Sequence, residues 1–447
     1  MSSETSTNLR RLKAIFRCVG TPGQIALVLT KPTLLLSTVL PLAHFWFRLS
    51  ITAMQRGIRF NGRPVWAEIR LSALTHNIKA IRRHVNPGGT RSGSRPLRKI
   101  LAVVKANAYG HGAVPVARAL ARAGADWFGV TCTAEGIELR EGKIRKPILV
   151  LTGFWPGEEK RLLEHDLTPA ITRCEQLRLL ERAAARARRR IKFHVKFQTG
   201  MNRLGLSPGD VPCFARTLAS CPHIECEGIF THFASSEVFT DDRVEQQQRE
   251  FESILEHLRA LGVSAPLMHM ANSAAVASRP QTWANMVRPG LVLYGYHQSY
   301  EPPELTAQTN AKLPLQPALA LRARLISVRD TAPGQAVGYN GRWVAQRPSR
   351  IAVISAGYAD GLPRALTNKG RVIIRGRFAP LVGTVSMDLT TADVTDIPDV
   401  SVGDVATFYG ADGNVSQYVS EVAGQLGTVT SELCCALGTR VPRFYLP

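Results

Sequence analysis

The stretch Ile100-Leu101-Ala102-Val103-Val104-Lys105-Ala106-Asn107-Ala108-Tyr109-Gly110-His111-Gly112 decides how the chain is read. Ile100–Val104 is an apolar run of the kind a buried strand shows. It delivers Lys105 to its C-terminal end and then breaks into a Tyr-Gly-His-Gly turn. Burial at such a point lowers a lysine's pKa, and the resulting neutral amine can form a Schiff base. A lysine that only marks where a buried strand meets water has the same local pattern, so the decision rests on the rest of the chain.

Outward from this run, beyond Val65, short apolar segments alternate with amphipathic segments rich in Ala, Leu and Arg. Ile100–Val104, Trp127–Val130, Ile148–Leu151, Ile191–Phe197, Ile224–Phe230 and Val287–Leu293 read as strands. Ala113–Ala123, Cys174–Arg188 and Val244–Leu261 read as helices. Such alternation predicts a parallel sheet, and this many units predicts a (β/α)8 TIM-type barrel. A polar, Pro-containing stretch from Ser299 to Pro314 reads as a linker. Beyond it the texture is Val/Ile/Gly-rich with no long helix until Val415–Leu426, which predicts a mainly β C-terminal domain with turns at 376–380 and 410–413. The expected division is an N-terminal extension over 1–62, the barrel over 63–311 and the β-domain over 312–447.

The strand Ile191–Gln198 carries a site signal of its own. Ile191, Phe193, Val195 and Phe197 alternate with Lys192, His194, Lys196 and Gln198. One face can pack under helices while the other looks into the barrel. Polar groups on an inward face are costly unless a ligand or a network satisfies them.

Composition narrows the function classes. The chain has 447 residues, long enough for two or three domains, and its 45% hydrophobic and 20% charged content is that of a folded protein. The net charge of +22 invites a nucleic-acid reading. The basic residues are dispersed, however, and the densest cluster (Arg182, Arg186, Arg188, Arg189 and Arg190) lies on an alanine-rich helical segment without aromatics for base stacking. A solvated outer helix is the better account. The eight cysteines form no C-x-x-C pair, no zinc spacing and no disulfide framework, which points to a metal-free protein of a reducing, cytoplasmic compartment.

The first sixty-odd residues stand apart. Pro32 to Phe47 contains no Asp, Glu, Lys or Arg and is flanked by Lys31 and Arg48, as a short membrane segment or signal-peptide core would be. Pro32 and Pro41 interrupt the run, it is short for a bilayer span, and no small-residue cleavage site follows. A reading frame extended upstream of a start at Met54 explains it as well.

With these pieces in place the chain resembles the alanine racemase family. Val104-Lys105-Ala106-Asn107-Ala108-Tyr109-Gly110-His111-Gly112 looks like that family's pyridoxal phosphate (PLP) lysine signature. Trp66-Ala67-Glu68-Ile69 with His76-Asn77 is similar to its opening strand and helix, and Lys196 to Gly205 to its central loop. Thr231-His232-Phe233, His269 to Ser273, Val287-Arg288-Pro289-Gly290, Gly357 to Gly361, Ser386-Met387-Asp388 and Arg440 to Arg443 resemble later motifs, in order, over about residues 63–447.

The resemblance implies a PLP-binding barrel followed by a β-domain, working as a homodimer with shared active sites and supplying D-alanine for peptidoglycan. It implies that Lys105 carries the cofactor and serves as one base, and that Tyr358 from the partner subunit serves as the other. His232 and Arg288 would tune that tyrosine, and Arg288 would face the pyridine nitrogen, which it leaves unprotonated because a guanidinium hardly surrenders its proton. Phosphate binding would fall on Tyr109, Ser273 and the N–H groups of Gly290 and Leu291, with Asn272 beside the ring. Arg203 would contact the cofactor's phenolic oxygen and the substrate, and Lys196 matches a lysine that many members carbamylate. Met387 and Asp388 would line the substrate site from the partner.

Three positions depart from the family pattern. Gln198 stands where Asp is usual, which changes the charge balance around Lys196 and Arg203. Arg70 replaces an Asp after Glu-Ile, with surface consequences only. Ser431 stands where the family has a tyrosine that bonds the phosphate and narrows the pocket, and losing that ring implies relaxed specificity, with serine or other amino acids accepted beside alanine. A PLP decarboxylase on the same barrel would place an acidic residue at the ring nitrogen, against Arg288. A PLP-carrier protein would resemble the barrel alone, against the C-terminal domain that holds Tyr358.

Overall fold

The structure, a computed structural model, describes residues 62–88 and 96–447. The apolar run 32–47 and Met54 lie outside the described residues.

The chain enters through β1 (Val65–Arg70) and α1 (Leu71–Val85). A parallel series follows: β2 (Lys99–Val103), α2 (Ala113–Ala123), β3 (Trp127–Val130), α3 (Thr133–Glu141), β4 (Ile148–Val150), α4 (Glu159–Glu164) and β5 (Thr168–Ile171). It continues through α5 (Glu175–Arg186), β6 (Ile191–Lys196), α6 (Val211–Ala219), β7 (Ile224–Phe230), α7 (Arg243–Ala260), β8 (Leu267–His269), α8 (Ser273–Ser278) and β9 (Met286–Val287). Strands β2 to β9 form one eight-stranded sheet in the order β8-β7-β6-β5-β4-β3-β2-β9, every pair parallel. The two end strands are tied by a side chain: Met268 N donates to Asn285 Oδ1 (2.8 Å) and Asn285 Nδ2 donates to the Pro266 carbonyl (2.7 Å). The result is a nearly closed TIM-type barrel.

The helices form because each carries one apolar stripe that the barrel wall buries. On α5, Leu177, Leu180 and Ala184 are buried while Arg178, Arg182 and Arg186 face water; of the densest basic cluster, Arg182 and Arg186 lie on this outer helix face, and Arg188, Arg189 and Arg190 are exposed in the turn that follows it. On β6, Phe193 and Val195, with Phe197 just past its end, join the core beneath the helices, and the alternate residues His194 and Lys196 are buried as well. Among the described residues no helix is long and apolar enough to cross a membrane.

Three sequence expectations need correction, and one strand was not expected. Val287–Leu293 is not one strand: β9 stops at Val287, Pro289 and Gly290 interrupt it, and Leu291–Tyr294 winds as a 3-10 turn. The linker Ser299 to Pro314 contains a helix, α9 (Glu304–Lys312), started by Pro302-Pro303. Val415–Leu426 is not a single helix, as described below. Strand β5 was hidden by its proline, since Thr-Pro-Ala-Ile lacks a recognisable strand pattern.

The C-terminal half holds β10 (Leu319–Thr331), β11 (Ala336–Val337), β12 (Trp343–Val344), β13 (Ser349–Ile354), β14 (Arg371–Ile374), β15 (Arg377–Pro380), β16 (Thr390–Asp393), β17 (Val405–Asp412) and β18 (Val415–Gln417). Helices α10 (Val419–Leu426) and α11 (Thr430–Cys435) follow, then β19 (Arg443–Leu446). Val415–Gln417 pairs with β17 across a Gly413 turn, and α10 begins only after Tyr418, whose N–H donates to Glu421 Oε1 (3.0 Å). The main sheet runs β15-β14-β17-β10-β1-β19, with β13 and β16 extending from β10. Strand β1, at the start of the stretch expected to form the barrel, thus belongs to this sheet. It lies antiparallel to β10 (Val65↔Ala323) and parallel to β19 (Ala67↔Arg443). Both ends of the described chain therefore stitch the β-sheet to the barrel's first helix.

Candidate active site

Strand β2 ends in an unusual turn. Ala106, Asn107, Ala108 and Tyr109 all hold left-handed backbone, with φ of 52, 53, 53 and 52°. Left-handed helix costs a non-glycine residue about 1–2 kcal/mol, so the surroundings must impose it. They do so from several sides. Glu135 on α3 accepts from Ala106 N (2.7 Å) and Thr131 N (2.7 Å), and Asn107 Oδ1 accepts from Ala113 N at the start of α2 (2.7 Å). Arg443 Nε donates to the Gly110 carbonyl (3.0 Å). Gly110 itself (φ +77°) lies so close to the Cys434 carbonyl on α11 that a Cβ would collide with it. Lys105, just before the turn, stays exposed.

That lysine opens on a cavity of about 230 Å³ at the C-terminal ends of the barrel strands. Its lining includes Lys105, Tyr109, Lys196, Arg203, His232, Asn272, Ser273, Arg288, Gly290 and Leu291. The structure thus brings together residues from motifs almost two hundred positions apart. Lys105, Lys196, Arg203 and Arg288 make four basic side chains, and among the described residues no Asp or Glu shares the lining. Burial, reinforced by the charges of Arg288, Arg203 and Lys105, pulls the Lys196 ammonium down to about 8.

Arg288 is the most heavily bonded of the four. Its Nη1 donates to His269 Nδ1 (3.0 Å) and the His269 carbonyl (2.8 Å). Its Nη2 donates to the carbonyls of Thr231 (2.7 Å) and Met270 (2.9 Å) and to His232 Nδ1 (3.1 Å). The two terminal nitrogens carry four N–H groups for these five acceptors, so one N–H on Nη2 is shared, and among the described residues Nε has no protein partner. Burial pulls Arg288 down to about 9, and it remains a cation at neutral pH. Because a guanidinium only donates, His232 must accept at Nδ1 and carry its proton on Nε2. Burial, then the charge of Arg288, holds His232 well below the usual imidazole range, so it is neutral.

At the other side of the cavity, Gly290 sits against Tyr109 and Ser273. A side chain at Gly290 would meet Tyr109 Oη at 2.5 Å and Ser273 Oγ at 3.6 Å, so glycine keeps this corner open. The Gly290 N–H, expected to serve a phosphate, here donates to Ser273 Oγ (2.8 Å). Asn272 caps α8 through Oδ1, which accepts from Ala275 N (3.2 Å).

Tyr358, Met387 and Asp388 are not among the residues lining the cavity. They form a second cluster in the β-domain, where Tyr358 N donates to the Ser386 carbonyl (3.0 Å) and Ala359 N to the Met387 carbonyl (3.1 Å). Tyr358 and Met387 are 41% and 53% exposed, unusual for side chains of their size. Beneath them Asp360 is fully buried. It accepts from Arg63 Nη1 on both oxygens (3.0 and 2.9 Å), from Arg440 Nε (2.9 Å) and from Gly357 N (2.8 Å). Arg440 Nη2 also reaches Asp388 Oδ1 (2.8 Å).

Sequence reasoning missed Thr131, Thr152 and Gln298 in the lining, and Glu135 as the anchor of the lysine turn. Thr131 directly follows β3 and Thr152 lies two residues past β4, and that position at the top of a barrel was the available signal. Ser431, singled out as a departure, does line the cavity, carried there by α11.

A family model described as "Alanine racemase, N-terminal domain" matches residues 69–298, and one described as "Alanine racemase, C-terminal domain" matches residues 318–445. The alanine racemase of Geobacter sulfurreducens is 39% identical over 391 residues, covering 86% of this chain and 98% of the relative. Among solved structures, alanine racemase from the D-cycloserine producer Streptomyces lavendulae matches with a TM-score of 0.78 at 32% identity, covering 87% of this chain and 98% of that one. Alanine racemase from Bartonella henselae, solved with covalently bound pyridoxal phosphate, matches with a TM-score of 0.75 at 28% identity, covering 86% and 100% of the two chains.

Proposed function

The chain belongs to the alanine racemase family and is an isomerase, and on that premise we propose that it interconverts L- and D-alanine with pyridoxal 5'-phosphate, using Lys105 and Tyr358 as its two bases. The observation that carries this reading is the cavity of four basic side chains without a carboxylate, an environment built for anions. The cofactor's phosphate and the substrate's carboxylate would supply them.

The residues present fit the cofactor. The open corner at Gly290 is a cradle that any side chain would fill, and Tyr109 Oη and Ser273 Oγ border it. Those two groups, with the N–H groups of Gly290 and Leu291, would hold the phosphate once Gly290 N–H leaves Ser273. Asn272 would neighbour the ring, Arg203 would meet the phenolic oxygen and the substrate carboxylate, and Lys105 would be the covalent attachment. When bound, the cofactor supplies the electron sink for the pair left behind as an α-proton departs.

Everything else is the protein's work. Arg288, with Nε unengaged, would donate to the ring nitrogen and keep it unprotonated, because a guanidinium retains its proton. That weakens the sink and favours return of the proton to the α-carbon over side reactions. Lys105 would exchange the proton on the D-face and Tyr358 on the L-face, so one removes what the other replaces. Tyr358 would come from a second protomer, together with Met387 and Asp388, because its own chain presents it outward. His232, with its proton fixed on Nε2, would be a donor to the phenolate. Lys196, a partly neutral amine near pH 8, would add carbon dioxide and release a proton, turning a cation into a carbamate that steadies Arg203. We place the enzyme in the cytoplasm as a homodimer, supplying D-alanine for peptidoglycan.

A second reading, a serine or broad-spectrum racemase, is favoured by Ser431 in the cavity wall. The test is L-to-D conversion by the purified protein on L-alanine, L-serine and L-lysine, with cofactor absorbance recorded. Lys105→Ala should lose both the absorbance of bound cofactor and turnover. Tyr358→Phe should keep the absorbance and lose most turnover. Strict preference for alanine would refute the second reading, and full activity of Tyr358→Phe in both directions would remove that tyrosine from the mechanism.

A further inference from the structure

Two cavities lie at opposite ends of the barrel. The first is lined by strand ends such as Val103, Lys196 and Phe230. The second, about 380 Å³, is lined by strand beginnings such as Trp127, Ile191 and Lys192, and by Glu227. A single file of polar side chains, buried from Arg288 to His194 and partly exposed at Glu227, runs between them.

Arg288 Nη1 donates to His269 Nδ1 (3.0 Å), and His269 Nε2 lies 2.9 Å from His194 Nδ1. The protons of this file have one arrangement. His269 must accept at Nδ1, so its proton sits on Nε2 and is donated to His194 Nδ1. His194 must then carry its own proton on Nε2. That atom is buried without a hydrogen-bond partner among the described residues, and Glu227 Oε2 stands 3.9 Å from it. The other oxygen of Glu227 accepts from Lys192 Nζ (3.0 Å) at the second cavity. Aromatic rings wall the file: Phe230 stacks on His269 with centroids 4.7 Å apart, and Trp127 packs on His194 at 5.1 Å. Burial pulls His194 to about 3, in keeping with a neutral imidazole that passes polarisation without holding charge.

Arg288, for its part, is a buried cation whose five acceptors are imidazoles and carbonyls, with no carboxylate in contact among the described residues. We propose that Glu227 is the remote counter-charge of Arg288, a positioning residue acting through His194 and His269, so that the pocket's electrostatics are set from the far end of the barrel. A carboxylate drawing on the last proton of the file makes each imidazole a better acceptor for the next, and the guanidinium's charge is stabilised at the end of the row. The proton order stands whatever the cavity binds; the effect on a bound cofactor rests on the function proposed above.

The experiment uses the holoenzyme labelled with nitrogen-15 at histidine. In the wild type, NMR should show His269 and His194 neutral with the proton on Nε2. Glu227→Gln, at a partly solvated position where the amide should fold, should move both sets of signals and shift the cofactor's visible band. It should lower kcat about three- to tenfold with KM for alanine little changed. Glu225→Gln, on the same lower cavity but outside the file, should leave the signals in place. A proton found on Nδ1 of either histidine, or signals unmoved by Glu227→Gln, overturns the proposal. A wild type without turnover that still shows the expected tautomers and the Glu227→Gln shift would sink the racemase reading and support the relay.

Discussion

Lys105 and Tyr358 are held by opposite means. The lysine follows a left-handed turn of four non-glycine residues, pinned by Glu135, Asn107 and Arg443, and faces a cavity where positive charges stand without carboxylates. The tyrosine sits on a loop whose buried Asp360 is clamped between Arg63 and Arg440, with charges balanced, and its ring faces outward. The first region carries strain and unpaired charge that a ligand would relieve. The second is balanced electrostatically and leaves Tyr358 and Met387 largely exposed. On the proposed mechanism, half of the chemistry would be stored in one chain's fold and half in its association with a second copy.

Separating the two halves gives the largest expected effect. Lys105→Ala and Tyr358→Phe should each be nearly inactive alone. If the sites are shared, a mixed dimer regains one intact site, and random reassociation should restore about a quarter of wild-type activity. A mixture that stays as inactive as its components would mean that both residues act within one chain. The clamp itself is tested by Asp360→Ala, which leaves two arginines facing an empty position. The expected cost is about 4 kcal/mol of unfolding free energy by denaturant titration, as for a buried pair that loses one partner. A loss within experimental error would show that backbone bonds between the 357–361 and 386–388 loops hold Tyr358 unaided.

How much of this could be read in the sequence follows from the same contrast. The pocket side was legible because strand periodicity and the order of motifs carry it: β3, β7 and α2 match their expected bounds, and all ten expected barrel residues line one cavity. Elements broken by proline or glycine were not legible. β5 hides behind Pro169, and Pro289 with Gly290 cuts short what read as a strand. The placement of β1 in the C-terminal sheet was also invisible, because an alternating strand does not announce which sheet completes it. Asp360 read as one letter of a loop motif. Its role depends on Arg63 and Arg440, 297 and 80 residues away, and no local pattern encodes such pairings.

Charge removal should act with opposite sign on the pocket side. Lys196 is pulled from its ordinary 10.5 to about 8 in the folded chain. Below pH 8 both folded and unfolded chains hold this proton, and the buried charge disfavours the fold. Between about 8 and 10.5 the folded chain releases it while the unfolded chain keeps it, so stability rises with pH by about 3 kcal/mol in all. Lys196→Met should therefore gain about 3 kcal/mol at pH 7 and lose that slope, measured without cofactor in buffer free of carbon dioxide. A variant less stable than wild type at pH 7 would mean that the cation has a partner, and that the pocket is not the unbalanced half.

The smallest effect isolates the strain. Ala106 is exposed and holds φ of +52°, where its Cβ crowds the backbone and glycine has no such penalty. Replacing it also loosens the unfolded chain, which opposes the gain by somewhat under 1 kcal/mol. With left-handed backbone costing about 1–2 kcal/mol, Ala106→Gly should stabilise the protein by about 0.5–1 kcal/mol. The same relief makes the turn easier to leave, so Lys105 should be placed less sharply and turnover should fall while stability rises. That opposite movement is the signature of strain used for positioning, and it has no counterpart at the clamp, where Asp360→Ala should lower both together. If Ala106→Gly moves stability and turnover in the same direction, the turn is only a tolerated irregularity, and the two regions hold their residues by similar means after all.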